Sequence, residues 1–594
     1  MIRPPIVATL VVLASLWASA PATAQAKQLL PGVTYEQDTQ FSPHGPVAIH
    51  VVRGPRPTGL YRLRPALARE TVTQRETVTS MQRRRSPQAT AVGLNGDFFS
   101  LADGRPSGLT LRDGVLVTPP NPGRSSLGVG LDGLLDIRRV TLRATWVGTG
   151  PRRAVTVLNK APGANGAALF TADWGRATPK LAGSFAVVLG SFPDLTPNAD
   201  LEAVVTRVVD GGESVAIPAG TAVLVARGTA AARLREEAPV GAPVTVRLLL
   251  QPDWSAVSDA IGGGPVLVQD GRPVLQAGEA FTTSQLVPRN PRSAVGQRAD
   301  GRILLVTTDG RQPGYSVGMT NFELAQAMAR LGAVRAMALD SGGSATLAFD
   351  GVVLNRPSDG RERAVASALM LEYLGVHVPP PLEPVVSPNG DGVADRQRLS
   401  YKVVSPSEVS VTLTAPDGSA ALSESGTRLP GTYRVPFPPP PPPSPEGLPP
   451  TSPSREGPPA EGRWSLRVSA TDDQGLASSG VERFRVNSTL GFLRVQPSTL
   501  RLPPSGATTT IDWVQARPAR VRVTVETREG DVLRSLSLGR LEPGQQAASW
   551  NGRLARGKVA PPGGYVVRVT ASNQLGAVAL ERPVVVRRVA GPKK

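Results

Sequence analysis

Apolar and polar residues alternate in short blocks along most of the chain, and one stretch breaks into a longer pattern. From Arg302 to Ser344 the sequence reads RILLVTTDGRQPGYSVGMTNFELAQAMARLGAVRAMALDSGGS. Its first apolar run predicts a strand that stops at Asp309-Gly310-Arg311. Thr320 and Glu323 are spaced as a helix capping box. Phe322, Leu324, Ala327, Met328 and Leu331 then recur at helical spacing, and Gly332 marks the stop. A second apolar run ends in Asp340-Ser341-Gly342-Gly343-Ser344. Strand, helix and strand in this order predict a crossover. If the strands are parallel neighbours, Asp309 and Asp340 face one cleft.

The remaining pattern is mostly strand. Residues 25–88 read as a lead-in with short strands such as 47–52, and 70–85 fit helix and strand equally. Residues 109–111 and 115–117 flank Asp113-Gly114, a hairpin signal. Residues 186–189, 204–209, 222–226 and 244–250 continue as strands, and AIGGGP at 260–265 is a glycine-rich turn. The first body, 89–376, gives way to a Pro-rich linker at 377–384. Residues 385–487 and 488–594 alternate as two sandwiches, the first carrying a Pro-rich insert at 436–459. The expected fold class is therefore an α+β domain, a mixed sheet with few helices, followed by two all-β Ig-like sandwiches.

Composition narrows the chemistry. The first 24 of 594 residues have a basic start, an apolar stretch and Ala22-Thr23-Ala24, the pattern of an export leader. No later run is long and apolar enough to span a membrane as a helix, so the expected product is exported to the periplasm, cell surface or medium. Cysteine is absent, which excludes a thiol nucleophile and Cys-ligated zinc. Only His44, His50 and His377 are present, which argues against a Ser-His-Asp triad or a multi-His centre. The net charge of +18 fits either a compositional bias or attraction to anionic polymers. At 4% aromatics and with no basic stripe interleaved with them, nucleic acid is not expected as a partner.

Each candidate site residue has a plainer alternative. Glycines in 340–344 let backbone N–H groups converge on an anion, with the Ser344 hydroxyl as a further donor, but Gly-Ser turns also simply end strands. Asp309-Gly310 is a common turn, and Glu323 is explained by its cap. Arg292 and Arg363 flank the unit, where planar guanidinium forks suit phosphate or merely solvent. Asn95-Gly96-Asp97-Phe98-Phe99 fits a sugar-binding wall or a packed hairpin. Asn389, Asp391 and Asp395 make calcium a candidate at one loop. That loop lacks the terminal Glu of an EF-hand, and a D-G turn opening the sandwich explains it better. No other cofactor is expected.

The ordered motifs NGDFF, AIGGGP, PRSAVG, TTDGR, SVGMTNFELAQAMARLGA, LDSGGSATL and NRPSDGRERAVASAL resemble the phosphodiester glycosidase family across residues 89–373. The resemblance implies hydrolysis of a sugar phosphodiester at the C1–O bond. It implies a cleft of Asn95, Arg292, Asp309, Arg311, Thr320, Glu323, Asp340, Gly342, Gly343, Ser344 and Arg363. Of these, Asp340, Asp309 and Glu323 are the expected catalytic carboxylates and the others substrate-binding. Ser341 and Asp97 stand where the family commonly has glycine. Trp550-Asn551-Gly552 with Gly563-Gly564-Tyr565 resembles the Ig-like domain of flagellar hook-capping proteins. The expected substrate is a phosphorylated glycan or sugar phosphodiester, with anionic envelope polymers as further partners. Two rival expectations remain open: a glycan-binding protein without turnover, and a metal-dependent phosphodiesterase cutting P–O through Asp309, Asp340 and Asp97.

Overall fold

The computed structural model describes residues 26–274, 278–439, 458–502 and 507–588. The leader pattern and most of the Pro-rich insert lie outside them. The chain divides into two compact units, one built mainly from residues up to 371 and the other mainly from residue 372 onward.

In the first unit one sheet carries eight strands. Their order is Lys27–Leu30, Val33–Ser42, Gly45–Gly54, Ile303–Thr308, Arg292–Arg298, Ala333–Ala338, Val266–Gln269 and Arg272–Pro273. Every neighbouring pair is antiparallel. The expected parallel neighbours are therefore corrected. Arg292–Arg298 lies between Ile303–Thr308 and Ala333–Ala338 and runs against both. The two outer strands still point the same way, and their ends share one edge, about 10 Å apart at the usual strand spacing. Thr308 pairs with Arg292, and Leu339 N–H bonds Ser293, so Asp309 and Asp340 leave the sheet at nearly the same level. The lead-in is part of this sheet, because Gly45–Gly54 pairs with Ile303–Thr308.

Burial explains the pattern. Ile303–Thr308 is buried at every position, since both sheet faces are covered. The helix Asn321–Arg330 covers one face through Leu324, Ala325, Ala327 and Met328, packed on Ile49, Ala294, Leu304, Val306 and Ala336. Phe322, counted in the stripe, is 44% exposed. On the other face the Ser293 hydroxyl donates to Asn95 Oδ1, at the end of Thr90–Asn95 in a five-stranded sheet.

Thr320 is the helix N-cap and its hydroxyl accepts from Glu323 N–H at 3.1 Å. Thr320→Ala is expected to destabilise the first unit by about 1 kcal/mol. The check is urea unfolding, and no change in midpoint would contradict the cap.

A second eight-stranded sheet contains Ser184–Gly190, Asp200–Val209, Ala222–Arg227 and Pro243–Gln251. Asp200–Val209 shows the alternation of a half-buried strand. One parallel pair, Val157–Leu158 with Ala167–Phe170, makes this sheet mixed. The hairpin Thr110–Arg112 to Val115–Thr118 turns on Asp113 and Gly114, both at positive φ. Val78–Arg85 resolves the ambiguous 70–85 stretch as helix at its end.

The second unit holds two β-sandwiches. One core gathers Tyr401, Val411, Trp464 and Phe484, and the other gathers Trp513, Trp550, Tyr565 and Val569. Trp550 meets Tyr565 edge-on at 5.9 Å, which is why the Trp-Asn-Gly and Gly-Gly-Tyr motifs occur together.

Candidate functional site

Three chain segments end at one edge of the first unit: 95–98 after Thr90–Asn95, 309–311 after Ile303–Thr308, and 340–346 after Ala333–Ala338. Asn95, fully buried, ties two of them together. Its Nδ2 donates to the Asp340 carbonyl at 2.9 Å, and its Oδ1 accepts from Thr346 N–H at 3.1 Å. Asp340 N–H donates to the Gly96 carbonyl at 3.0 Å. Asn95 thus shapes the loop from inside and is not itself open to substrate.

Asp340 is the partly open carboxylate of the group. Its Oδ1 accepts from Ser341 N–H at 2.8 Å. Crowding by protein pushes its carboxyl up to about 6, against the opposing pull of Ser344, the Ser341 N–H, Arg363 and Arg124. The buried Ser344 hydroxyl lies near it without completing a hydrogen bond of ordinary geometry. Next along the turn, Gly342 has φ +69°. A Cβ there would lie 3.0 Å from Arg311 Nη2, and one on Gly343 would lie 2.0 Å from Arg363 Nη2. Both guanidinium groups thus rest against the bare glycines. Arg311 is held by Asn290 Oδ1 at 2.8 and 3.0 Å, and Arg363 by Asp359 at 2.8 Å.

Asp97 is the residue the sequence undervalued. It is 2% exposed, its Oδ1 accepts from Phe98 N–H at 2.7 Å, and its Oδ2 has no hydrogen-bond partner. Burial pushes its carboxyl up to about 7, with the Asp340 charge adding and the Gly108 N–H, Arg124 and the Phe98 N–H opposing. Cβ atoms on Gly108 or Gly262 would approach Oδ2 to 2.9 and 2.5 Å, so only glycines fit around it. Arg124, which no motif flagged, has its guanidinium 4.9 Å from the Phe98 ring centre and 4.4 Å from that of Phe281. The adjacent acid and aromatics of NGDFF were the available signal for Asp97; Arg124 gave none.

Asp309 is placed differently from the expectation of an open carboxylate. It is fully buried. Its oxygens accept from Tyr315 Oη, Asn355 Nδ2 and Arg356 N–H and meet His50 Nε2, at 2.9–3.1 Å. Burial alone would raise its carboxyl, but the His50, Asn355 and Tyr315 contacts outweigh it and hold the value below the usual carboxylate range. His50 Nδ1 in turn meets Tyr35 Oη at 2.8 Å. Asn355 also bonds the Ala345 carbonyl and Leu347 N–H. Asp309 therefore braces the segment that follows Ser344.

Arg292 is likewise turned to the chain itself. Its guanidinium donates to the carbonyls of Met319, Gln285, Leu286 and Pro288, which uses four of its five N–H groups. Burial, then the Arg311 charge, lower its value to about 10. Glu323 accepts from Thr320 N–H at 2.9 Å and pairs with Arg289. Burial would raise its carboxyl, but the Thr320 and Arg289 contacts hold it down. Thr320 and Glu323 thus meet each other in the cap, while Asp340, Gly342, Gly343, Ser344, Arg311 and Arg363 come together.

Among the described residues no three His, Asp or Glu side chains form a metal-holding group. At the calcium candidate, Asp395 accepts the N–H groups of Asn389, Gly390 and Gly392, and Asp391 those of Val393 and Phe492. Those carboxylates are committed to the turn.

Residues 198–372 match the sequence profile of the phosphodiester glycosidase family, and residues 500–574 that of the FlgD Ig-like domain. The SPbeta prophage-derived uncharacterized protein YomE of Bacillus subtilis is 37% identical over 107 residues, covering 18% of this chain and 16% of that protein. The basal-body rod modification protein FlgD of Escherichia coli is 30% identical over 122 residues, covering 16% of this chain and 52% of FlgD. The chain thus spans a sixth of one curated relative and half of the other. A hypothetical protein from Synechocystis shares the fold at TM-score 0.51 and 24% identity, over 60% of this chain and 64% of that one. Asn95, Asp97 and Arg124 precede the matched segment and reach the site through the fold. The chain is thus similar to the phosphodiester glycosidase family at residues 198–372 and to the FlgD Ig-like domain at 500–574.

Proposed function

We propose that the protein is an exported hydrolase that cleaves a sugar-1-phosphodiester at the C1–O bond of an envelope or extracellular glycan. One observation carries this reading: a partly open carboxylate, Asp340, sits beside two bare glycines against which Arg311 and Arg363 rest. The family match supports the reaction class, and the leader pattern supports export.

Chemistry at a sugar C1 passes through an oxocarbenium-like state and needs a carboxylate close by. A phosphate monoester leaves readily, so charge neutralisation matters more than proton donation. Asp340 serves the sugar, either activating water or attacking C1. Arg311 and Arg363 receive the departing phosphate oxygens over Gly342 and Gly343. Asp97, where the family commonly has glycine, holds its own proton beside the Asp340 charge. Asp309 and Asn95 hold the loops in place.

The test is hydrolysis of a hexose-1-phosphodiester in ¹⁸O-labelled water. Label in the sugar supports the reading, and label in the phosphate assigns the reaction to P–O cleavage. Binding without turnover would leave the glycan-binding alternative.

Asp97→Asn gives a separate check. A buried carboxyl raised to about 7 keeps its proton in the folded state, whereas the unfolded one loses it near pH 4. The folded state holds more protons between those values, so stability falls as pH rises through that window. Asparagine removes the loss, and the variant gains on wild type from pH 4.5 to pH 8 by about 3 kcal/mol. Urea unfolding at the two pH values reads the effect, and a constant difference between variant and wild type would count against it.

A further inference from the structure

A groove of about 550 Å³ runs along the first unit, outside the acidic centre. One wall carries Ser107, Thr118, Pro119 and Pro120, and Arg105 and Lys160 flank it. The strand Thr141–Val147 supplies part of the facing wall. We propose that this groove holds the next units of a polymeric glycan whose sugars are joined by phosphodiesters, so that the protein works on chains and not only on single sugar phosphodiesters. The proposal rests on the reaction class given above.

Continuity with the site is the first ground. Ser107 N–H donates to the Phe98 carbonyl at 2.8 Å, and Phe98 follows Asp97. The Thr118 hydroxyl donates at 2.7 Å to the carbonyl of Gly108, the residue that closes over Asp97 Oδ2. The same wall continues through Pro122 to Arg124, two residues on, whose guanidinium lies over the paired rings of Phe98 and Phe281. The groove wall is therefore tied by hydrogen bonds to Phe98 and Gly108, the two residues that border Asp97.

Chemistry is the second ground. The phosphate at C1 is met by Arg311 and Arg363, so Arg105 and Lys160 remain for charges further along. Arg105 is partly exposed and shares its charge with Asp103 at 3.4 Å. Lys160 is exposed, in a chain whose positive charge is mostly arginine. Pro119, Pro120 and Pro122 offer flat apolar faces and no N–H donors. Three prolines break the row of N–H groups that an extended peptide would need to pair strand to strand, which favours a glycan over an acidic peptide.

The experiment uses the full chain with Asp340→Asn, so that probes stay intact. Titration calorimetry compares a six-unit and a two-unit hexose oligomer linked by 1,6-phosphodiesters, with hexaglutamate as the peptide probe. The hexamer is expected to bind at least tenfold tighter than the dimer. Adding Arg105→Glu and Lys160→Glu should bring the hexamer to the dimer's affinity and leave the dimer unchanged. Equal affinities for the two oligomers, a ratio untouched by the charge reversals, or hexaglutamate binding as tightly as the hexamer would each overturn the groove. If wild type binds with the expected ratio but does not hydrolyse the dimer, the reaction class falls and the groove stands.

Discussion

Replacing Asp340 by asparagine is expected to lower turnover of a sugar-1-phosphodiester by about 10²–10⁴-fold, with little change in KM. Asparagine keeps the shape and the Ser341 N–H contact but cannot take a proton or attack C1. The phosphate partners, Arg311 and Arg363, are held by Asn290 and Asp359 and do not depend on the Asp340 charge for their position. Wild type should gain activity as pH rises through about 6, where this carboxyl ionises, and the variant's residual rate should lack that limb. Retention of more than a tenth of wild-type turnover would remove Asp340 from the chemistry. The enzymatic proposal would then have no open carboxylate at the glycine turn.

Asp309→Ala is expected to act on stability first, since each buried donor left without its acceptor costs about 1–3 kcal/mol. The substitution leaves Tyr315 Oη, Asn355 Nδ2, Arg356 N–H and His50 Nε2 without their shared acceptor in a place closed to water. Chemical unfolding of the full chain reads the effect as an earlier transition of the first unit. Asp309→Asn distinguishes bracing from chemistry, because it retains an acceptor oxygen. It should recover part of the stability and a substantial share of the turnover. If the asparagine variant folds like wild type yet loses as much activity as Asp340→Asn, the carboxylate acts on substrate, as the sequence led one to expect.

The Asp309 outcome shows where sequence reading stops. Two acids at two strand ends look equivalent along the chain, since each closes an apolar run and opens a glycine-containing turn. Their difference comes from partners 6 to 259 residues away, with His50 and Asn355 closing over Asp309 while Asp340 stays partly open. Arg292 and Arg363 show the same limit. Both flank the unit, but Arg292 turns inward to four carbonyls and Arg363 lies on Gly343. Glu323 was legible because capping is local: its partner Thr320 is three residues back.

Short-range physics is legible directly along the chain. It set the helix Asn321–Arg330 with its cap, the Asp113-Gly114 hairpin, the strand-rich α+β body and the two sandwiches. Spacing and turn chemistry act within a few residues, so they can be read there. The tertiary structure alone decided that the sheet is antiparallel, with Arg292–Arg298 between the two acid-bearing strands. It also brought Asp97 and Arg124 towards Asp340 and sealed Asp309. Strand pairing and burial are set by contacts between segments from tens to hundreds of residues apart, and no local pattern records them.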